Sequence, residues 1–344
     1  MRYFQCDYAE GCCPEILAAL TQTNFQQTVG YGEDEFCAQA AELIKEACGT
    51  PQAAVHFLVG GTQANLTVID SVLRSHQGVV SAAGGHIAVH ETGAIEACGH
   101  KVLALPSEDG KISPCQIQDL CRAHYADESF EHTVQPGMVY ISFSTESGLL
   151  YSKAELEAIS AVCKEYNLPL YIDGARLGYG LASPKNDCSL QDIARLADIF
   201  YIGGTKQGAL FGEAVVITNP NLQKDFRYFI KQKGGMLAKG RLLGIQFKTL
   251  FTDNLYFNLA KKTVEQALLI REAFQKKGIS FFFDSYTNQQ FPILTASQRE
   301  YFAPKYKTSF WQPLDEDKAV VRFCTSWATT DAAVAELVAD IERM

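Results

Sequence analysis

Two strand-like apolar runs of the sequence end in side chains that could do chemistry together. The first run, LPLYID at 168–173, delivers Asp173 and, three residues later, Arg176. The second run, DIFYIGGT at 198–205, leads into Lys206. An acid and a lysine at neighbouring strand ends suit a cofactor that needs a carboxylate at its pyridine nitrogen and a lysine for a Schiff base. Pyridoxal phosphate is such a cofactor.

Each of these three residues also has a simpler interpretation. A lysine in a glycine-flanked loop can be a solvated surface residue, and a strand-end aspartate often caps the following turn. Arg176 offers a planar fork for a substrate carboxylate, or it forms an ion pair with Asp173. The cofactor interpretation is favoured because the same predicted sheet contains a GGT turn, at residues 60–62, that could bind a phosphate. A desolvated site would lower the pKa of Lys206, as a nucleophilic lysine requires.

Two glycine pairs mark further candidate positions. The run AVHFLVGG at 54–61 leads directly into a helical segment, with Thr62 placed to cap it. Free backbone N–H groups and the helix dipole would face a phosphate at this join. His86 follows the second pair, and its ring is placed to stack on a cofactor or to serve as a structural histidine. Glu91 could be only a charge at a helix N-terminus.

The alternation of strand and helix patterns predicts the fold class. It continues from residue 54 to residue 217 and indicates a mostly parallel sheet with helices on both faces. In such α/β sheets, ligands bind at the carboxyl ends of the strands, where the polar clusters GGT, GGH, STESG, DGAR and TKQG fall. After residue 221 the pattern changes to helices and antiparallel-looking strands. We therefore predict a large domain at 1–245, including an N-terminal arm, and a small α+β domain at 246–344.

Composition and charge exclude several classes of protein. The chain has 344 residues, 47% of them hydrophobic, and a net charge of -9, which argues against a nucleic-acid partner. Eleven scattered cysteines without CxxC spacing predict neither a disulfide framework nor a metal site. The polar N-terminus and the lack of an 18-residue apolar run predict no signal peptide and no membrane partner. The expected location is a reducing cytoplasm.

Six motifs in order resemble the threonine aldolase family, in the β-eliminating lyase group of fold-type-I pyridoxal phosphate enzymes. They are YGEDE, GGTQAN, GGHIAVHETGA, TESG, YIDGARL and TKQG, and they are clearest between residues 31 and 206. The likeness covers nearly the whole chain. It implies an aspartate aminotransferase-like fold, with a large mostly parallel sheet domain and a smaller C-terminal α+β domain.

The resemblance also implies roles for individual residues. Lys206 would form the Schiff base, Asp173 would hold the pyridine nitrogen, and His86 would stack on the ring. A second group of residues would bind the cofactor phosphate or the substrate: Gly61, Thr62 and Gln63 for the phosphate, Arg176 and Arg322 for the substrate α-carboxylate, and His132 for the substrate hydroxyl. The site would lie at a subunit interface of a homodimer or homotetramer. The basic segment 233–241 would reach the neighbour's phosphate.

The implied activity is aldol cleavage of a β-hydroxy-α-amino acid, such as L-threonine or L-allo-threonine, to glycine and an aldehyde. The base for the hydroxyl proton stays open between His86, His132 and a bound water. Alternative reactions are β-elimination, transamination and cleavage of a bulkier substrate such as phenylserine. A non-catalytic binding or regulatory module is the alternative from another class. The sequence departs from the family at Cys6, where a serine is usual, and at Gln207, where a glycine commonly follows the lysine.

Overall fold

A seven-stranded sheet organises the larger part of the chain in the computed structural model, which describes residues 1–344. The strands in chain order are β1 (Arg2–Tyr3), β2 (Ala54–Leu58), β3 (Gln77–Ala82), β4 (Lys101–Leu105), β5 (Gln135–Ser142), β6 (Leu170–Asp173), β7 (Ile199–Gly203), β8 (Glu213–Ile217), β9 (Gln289–Gln290), β10 (Ile293–Leu294), β11 (Tyr306–Lys307), β12 (Ser309–Pro313) and β13 (Ala319–Cys324). The order across the large sheet is β2-β8-β7-β6-β5-β3-β4. Strands β3 to β7 run parallel, and β8 is antiparallel to both β7 and β2. The predicted mostly parallel sheet is confirmed.

Helices cover both faces of this sheet. They are α1 (Pro14–Thr23), α2 (Glu35–Cys48), α3 (Gly61–Val72), α4 (His86–Val89), α5 (Ala94–Ala97), α6 (Pro114–Ala126), α7 (Lys153–Glu165), α8 (Leu177–Leu181), α9 (Leu190–Leu196), α10 (Phe226–Gln232), α11 (Arg241–Phe251), α12 (Leu255–Lys276), α13 (Ala296–Phe302) and α14 (Asp331–Arg343). Single turns of 3₁₀ helix occur at Phe130–His132, Pro220–Leu222 and Thr252–Asn254. No helix is both long enough and apolar enough to cross a lipid bilayer.

The central strands β6, β7 and β8 are buried along their whole length because helices pack on both sides. Alternate residues therefore enter two different cores. Ile172 and Phe200 belong to one apolar cluster, whereas Tyr171 and Tyr201 belong to the other. Strand β2 differs from the buried strand that the sequence predicts: it lies at the sheet edge, and four of its five residues are half-buried.

The N-terminus of α3 begins earlier than the sequence suggests. Gly60 is the N-cap residue in extended conformation, and no side chain caps the helix. Thr62 is the second helical residue, and its exposed side chain makes no hydrogen bond within the chain. The prediction that Thr62 caps this helix is therefore wrong, because the glycine backbone begins the helical turn two residues earlier.

Gly174, directly after β6, allows two strand ends to approach closely. A Cβ atom there would lie 1.8 Å from the carbonyl oxygen of Tyr201 in β7. We expect Gly174→Ala to destabilise the fold by about 3 kcal/mol, since a backbone atom must move to admit the methyl group. Gly84→Ala is the matched control, because a Cβ there meets nothing within 4 Å. Urea unfolding of both variants is the measurement; equal midpoints would contradict the expectation.

The C-terminal part holds a small antiparallel sheet, in which β13 pairs with β9, β10 and β12. The N-terminal arm joins this part, because β1 pairs with β11 and Phe4 packs in the same cluster as Phe323. The predicted division after residue 245 falls inside helix α11. The two-domain division itself stays a prediction.

Candidate active site

A pocket opens where the carboxyl ends of β2, β5, β6 and β7 meet the start of β8. We refer to this cavity as the strand-end pocket. Six residues predicted from the sequence line it together: Gly61, Thr62, His86, Asp173, Arg176 and Lys206. They come from elements far apart in the chain, and the topology brings their strand and helix ends to one edge of the sheet.

Asp173 is the most firmly held side chain of the pocket. Its Oδ2 accepts hydrogen bonds from Asn65 Nδ2 at 3.1 Å and from Tyr140 Oη at 2.6 Å. Its Oδ1 accepts from the backbone N–H of Ala175 at 3.0 Å and from the Tyr201 hydroxyl. The carboxylate is 4% exposed, so these donors replace the water that it loses on burial. A fixed negative charge therefore stands at the end of β6.

Lys206 follows β7 and lines the same pocket. The amine makes no hydrogen bond or ion pair, whereas the backbone carbonyl of Lys206 accepts from the Tyr179 hydroxyl. Burial lowers the pKa of Lys206, and the positive charge of Arg176 lowers it further. The neutral form of the amine is thus more available at neutral pH than in a solvated lysine.

The N-terminus of α3 also lines the pocket, through Gly60, Gly61 and Thr62. First-turn N–H groups of a helix have no intrahelical partner, and the helix dipole favours an anion in front of them. A Cβ on Gly61 would come 3.1 Å from Tyr201 Oη. The glycine thus lets the helix end lie against β7, the strand that precedes Lys206, and the arrangement can bind a phosphate.

His86 begins α4 and is held by two carboxylates. Its Nδ1 lies 2.7 Å from Glu91 Oε1, and its backbone N–H donates to Glu146 Oε1 at 2.9 Å. Asn65 Nδ2 donates to the same Glu91 oxygen at 2.7 Å and so links His86 to Asp173. Burial opposes the charged ring, but the Glu91 hydrogen bond and the charge of Asp173 outweigh it and raise the pKa of His86. Glu91 is therefore a partner of the histidine rather than a helix-terminal charge.

Arg176 forms its ion pair with Asp7 of the N-terminal arm and not with Asp173. Its Nε lies 2.7 Å from Asp7 Oδ2, and its Nη2 lies 3.0 Å from Asp7 Oδ1. Asn288 Nδ2 also donates to Asp7 at 2.9 Å. The two hydrogen bonds to Asp7 orient the guanidinium. The Nη1 group of Arg176 makes no hydrogen bond within the chain and is free to bind another group.

The Asp7–Arg176 pair predicts an acid-sensitive contribution to stability. Burial opposes the Asp7 charge, but Arg176 and then Lys206 outweigh it and lower the pKa of Asp7 to about 2. Since this pKa lies below that of an unfolded aspartate, the stabilisation is present above about pH 4 and lost as the pH falls towards 2. It amounts to about 2 kcal/mol. Asp7→Asn should remove this pH dependence.

The measurement is the free energy of unfolding in denaturant between pH 7 and pH 2. Asp119→Asn is the matched control, because Asp119 is exposed on α6 and makes no hydrogen bond or ion pair. At pH 7 we expect Asp7→Asn to be about 3–5 kcal/mol less stable, since it leaves a mostly buried guanidinium without a counter-charge. If the free energy of unfolding fell by the same amount between pH 4 and pH 2 in Asp7→Asn and in the parent protein, the role of this pair would be contradicted.

Three predicted site residues do not line the strand-end pocket. Gln63 Nε2 donates to the Lys233 carbonyl, and its Oε1 accepts from the Val59 N–H. Arg322 donates to Gln289 Oε1 and to the Gln5 carbonyl, each at 3.0 Å. His132 is exposed in the 3₁₀ turn that precedes β5. It therefore lies at the amino end of that strand, whereas the pocket lies at the carboxyl end.

The basic segment 233–241 is tied to its own chain at both ends. Lys233 Nζ lies 2.7 Å from Asp70 Oδ2. Arg241 Nη2 donates to the Thr23 carbonyl at 2.6 Å. Lys239 is exposed, and its side chain makes no hydrogen bond or ion pair.

The sequence analysis assigns no individual role to five further pocket residues, namely Ser142, Ser144, Glu146, Tyr201 and Glu213, although Ser144 and Glu146 lie within the STESG cluster. Glu213 at the start of β8 accepts hydrogen bonds from Thr205 Oγ1 at 2.8 Å and Gly204 N–H at 3.1 Å. Burial raises the pKa of Glu213 to about 8. One signal was available: Tyr140, Tyr171 and Tyr201 each lie two residues before a strand end. Two of them donate to Asp173, and Tyr171 donates to Asn65 at 2.8 Å.

The two departures from the family pattern occupy different surroundings. Gln207 is fully buried beneath the pocket, where its Nε2 donates to the Gly203 carbonyl at 3.1 Å and contacts the Tyr256 hydroxyl. It supports the Lys206 loop and does not line the pocket. Cys6 is a half-buried free thiol next to Asp7.

Comparison with known proteins identifies the family of this chain. The beta-eliminating lyase family profile matches residues 4–297. The chain is 32% identical to a low specificity L-threonine aldolase from a Pseudomonas species, over 99% of this chain and 97% of the relative. It is also 32% identical to the Pseudomonas aeruginosa low specificity L-threonine aldolase, over 98% of this chain and 96% of the relative.

Solved structures agree in fold. A structure of Leishmania major threonine aldolase superposes with a TM-score of 0.96 at 44% identity and covers 100% of this chain and 99% of that one. Thermus thermophilus aspartate aminotransferase matches at a TM-score of 0.71 and 13% identity, over 99% of this chain and 91% of that one, which shows the fold alone. The predicted aspartate aminotransferase-like architecture is confirmed. The chain belongs to the beta-eliminating lyase family and is a threonine aldolase-type member of it.

Proposed function

We propose that this protein is a pyridoxal phosphate-dependent lyase that cleaves β-hydroxy-α-amino acids to glycine and an aldehyde. L-threonine and L-allo-threonine, which give acetaldehyde, are its expected substrates. The observation that carries the proposal is one pocket that holds Asp173, an unpartnered Lys206 and the free N-terminus of α3. Its relatives named as low specificity L-threonine aldolases support the choice of reaction.

The residues present fit the cofactor group by group. The first-turn N–H groups at Gly61 and Thr62 suit a phosphate, and the Asp173 carboxylate suits a protonated pyridine nitrogen. The Lys206 amine, without a partner in the chain, suits the aldehyde. Two buried atoms of the pocket residues, Ser144 Oγ and Glu146 Oε2, also make no hydrogen bond within the chain. Buried polar atoms without partners are costly, which supports a bound polar group in this space.

When bound, the cofactor would supply an electron sink for the electron pair of the Cα–Cβ bond. The chain's own residues supply the rest. Asp173 holds a negative charge at the ring nitrogen, and His86 lies where a ring could stack on it. The free Nη1 corner of Arg176 binds the substrate α-carboxylate. The lowered pKa of Lys206 keeps a fraction of its amine neutral, so that it acts as a nucleophile and moves the proton at Cα.

The protein is also proposed to act as a homodimer or homotetramer in the cytoplasm. Large apolar side chains are exposed on one stretch of the chain: Phe25 is 95% exposed, Val29 64% and Tyr31 48%. Exposed apolar surface of this kind favours contact with another subunit. Lys239 of the 233–241 segment has no partner within the chain and is free to meet a neighbour's phosphate. All eleven cysteines are free thiols, which fits a reducing compartment.

The test is to incubate the purified protein and pyridoxal phosphate with L-threonine or L-allo-threonine and follow acetaldehyde through a coupled alcohol dehydrogenase. We expect acetaldehyde from at least one diastereomer. Ammonia with a 2-oxo acid would indicate β-elimination, and a 2-oxo acid with an aminated cofactor would indicate transamination. A cofactor-loaded protein that gives no acetaldehyde from either diastereomer would refute the proposal, unless phenylserine yields benzaldehyde and places the preference on bulkier substrates.

A further inference from the structure

The strand-end pocket contains a carboxylate with an unused oxygen, and it belongs to Glu146. Glu146 lies in the turn after β5, beside the pocket residues Ser142 and Ser144. Its Oε1 accepts hydrogen bonds from the His86 N–H at 2.9 Å and from Ser142 Oγ at 3.1 Å. Its Oε2 is buried and has no partner within the chain. One oxygen therefore anchors the side chain, and the other is free to accept a proton or a hydrogen bond.

The oxygens of the other carboxylates that line the pocket all accept hydrogen bonds from the protein. Both oxygens of Asp173 accept hydrogen bonds from the protein, and so do both oxygens of Glu213. Both oxygens of Asp7 accept hydrogen bonds from the Arg176 guanidinium. Glu146 is thus the one carboxylate lining the pocket that has an oxygen without a donor.

The proposed reaction requires such an acceptor. In the cleavage, the β-hydroxyl loses its proton, the O–H electron pair becomes the second bond of the aldehyde carbonyl, and the Cα–Cβ bond breaks. The electron pair from that bond stays with the Cα fragment, which takes up one proton to become glycine. One proton is removed and one is returned, so no oxidant or reductant is needed. A base within reach of the hydroxyl must hold the first proton.

We infer that Glu146, acting through Oε2, is the catalytic base that takes the β-hydroxyl proton, and that Ser144 Oγ helps to orient that hydroxyl. The inference rests on the proposed function. Ser144 Oγ is buried and unpartnered in the same turn, and a hydroxyl can donate to one oxygen while accepting from another. The substrate hydroxyl would satisfy both orphaned atoms at once.

The electrostatic surroundings of Glu146 favour this role over His86. Burial and the negative charge of Asp173 raise the pKa of Glu146, while its own backbone N–H, Ser142 and His86 act in the opposite direction. The Glu146 charge in turn contributes to the raised pKa values of the Tyr140 and Tyr151 hydroxyls. A base works best when its pKa approaches the working pH. The pKa of His86 is also raised, but its Nδ1 already pairs with Glu91 Oε1 at 2.7 Å, whereas Glu146 Oε2 has no partner within the chain.

The experiment compares two reactions of the cofactor-loaded protein carrying Glu146→Gln. Threonine cleavage needs the hydroxyl base, whereas exchange of the glycine α-proton in D₂O, followed by NMR, uses the same site without a hydroxyl. We expect kcat for cleavage to fall about 10²–10⁴-fold. Glycine exchange should stay within about threefold of the parent, since the amide oxygen can still accept from His86 and Ser142. Glu146→Asp should recover part of the cleavage.

Glu157→Gln is the matched control, because Glu157 lies on the exposed face of α7 in a surface pair with Arg195. It should leave both reactions unchanged. Cleavage by Glu146→Gln within threefold of the parent, or equal losses of cleavage and glycine exchange, would overturn the assignment. A parent protein that exchanges the glycine proton but cleaves no β-hydroxy amino acid would instead refute the proposed function, so the two failures are distinguishable.

Discussion

The Lys206→Ala variant is expected to lose both catalysis and covalent attachment of pyridoxal phosphate. The Lys206 amine is the one lysine amine in the strand-end pocket, and no carboxylate or carbonyl engages it. Removing a nucleophile that acts as a unit with its partners should reduce kcat by more than about 10³-fold. The visible absorbance of the lysine-bound cofactor should disappear from the purified variant.

Two measurements check the role of Lys206. Borohydride reduction followed by peptide mapping should place the cofactor on Lys206 in the parent protein. Lys224→Ala is the control, since Lys224 is exposed and makes no hydrogen bond or ion pair, and it should keep both absorbance and activity. A Lys206→Ala protein that still carries covalently attached cofactor would contradict the assignment.

Asp173→Asn should keep the cofactor on Lys206 but lose turnover. The tyrosine hydroxyls and Asn65 all donate to the carboxylate, and an amide in its place removes the charge and turns one acceptor into a donor. A preorganised charge of this kind typically contributes about 10²–10³-fold, and we expect a loss at or above the upper end, since the ring nitrogen loses its counter-charge.

The rate of threonine cleavage with saturating cofactor is the readout, and glycine α-proton exchange should fall with it. This joint loss separates Asp173→Asn from Glu146→Gln, for which only cleavage should fall. Asp119→Asn again serves as the surface control. Turnover of Asp173→Asn within tenfold of the parent would mean that the charge at the end of β6 does not support the reaction.

The sequence was sufficient to place those candidate site residues whose position follows from local chain direction. Asp173 and Lys206 end consecutive strands of a parallel sheet, and Gly61 begins a helix directly after a strand. Such positions project to the carboxyl edge wherever the sheet forms. The same reasoning predicted the α/β class and the mostly parallel sheet.

The surroundings of the other candidate site residues depend on contacts between residues that are distant in the chain. Arg322 is held by the Gln5 carbonyl, which lies 317 positions away in the chain, and Gln63 is turned away by Lys233. The partner of Arg176 proved to be Asp7, 169 positions earlier, which no local pattern indicates. Glu146 lay within a recognised motif, but its free oxygen becomes visible only when the donors around every pocket carboxylate are known.

We propose that the strand-end pocket breaks the Cα–Cβ bond of a β-hydroxy amino acid. The most direct measurement is ¹³C NMR of the cofactor-loaded protein acting on threonine labelled at Cα and Cβ. We expect the Cα label to appear in glycine and the Cβ label in acetaldehyde, in equal amounts and without free ammonia. Both labels remaining joined in one 2-oxo acid would contradict it, because the Cα–Cβ bond would then be intact.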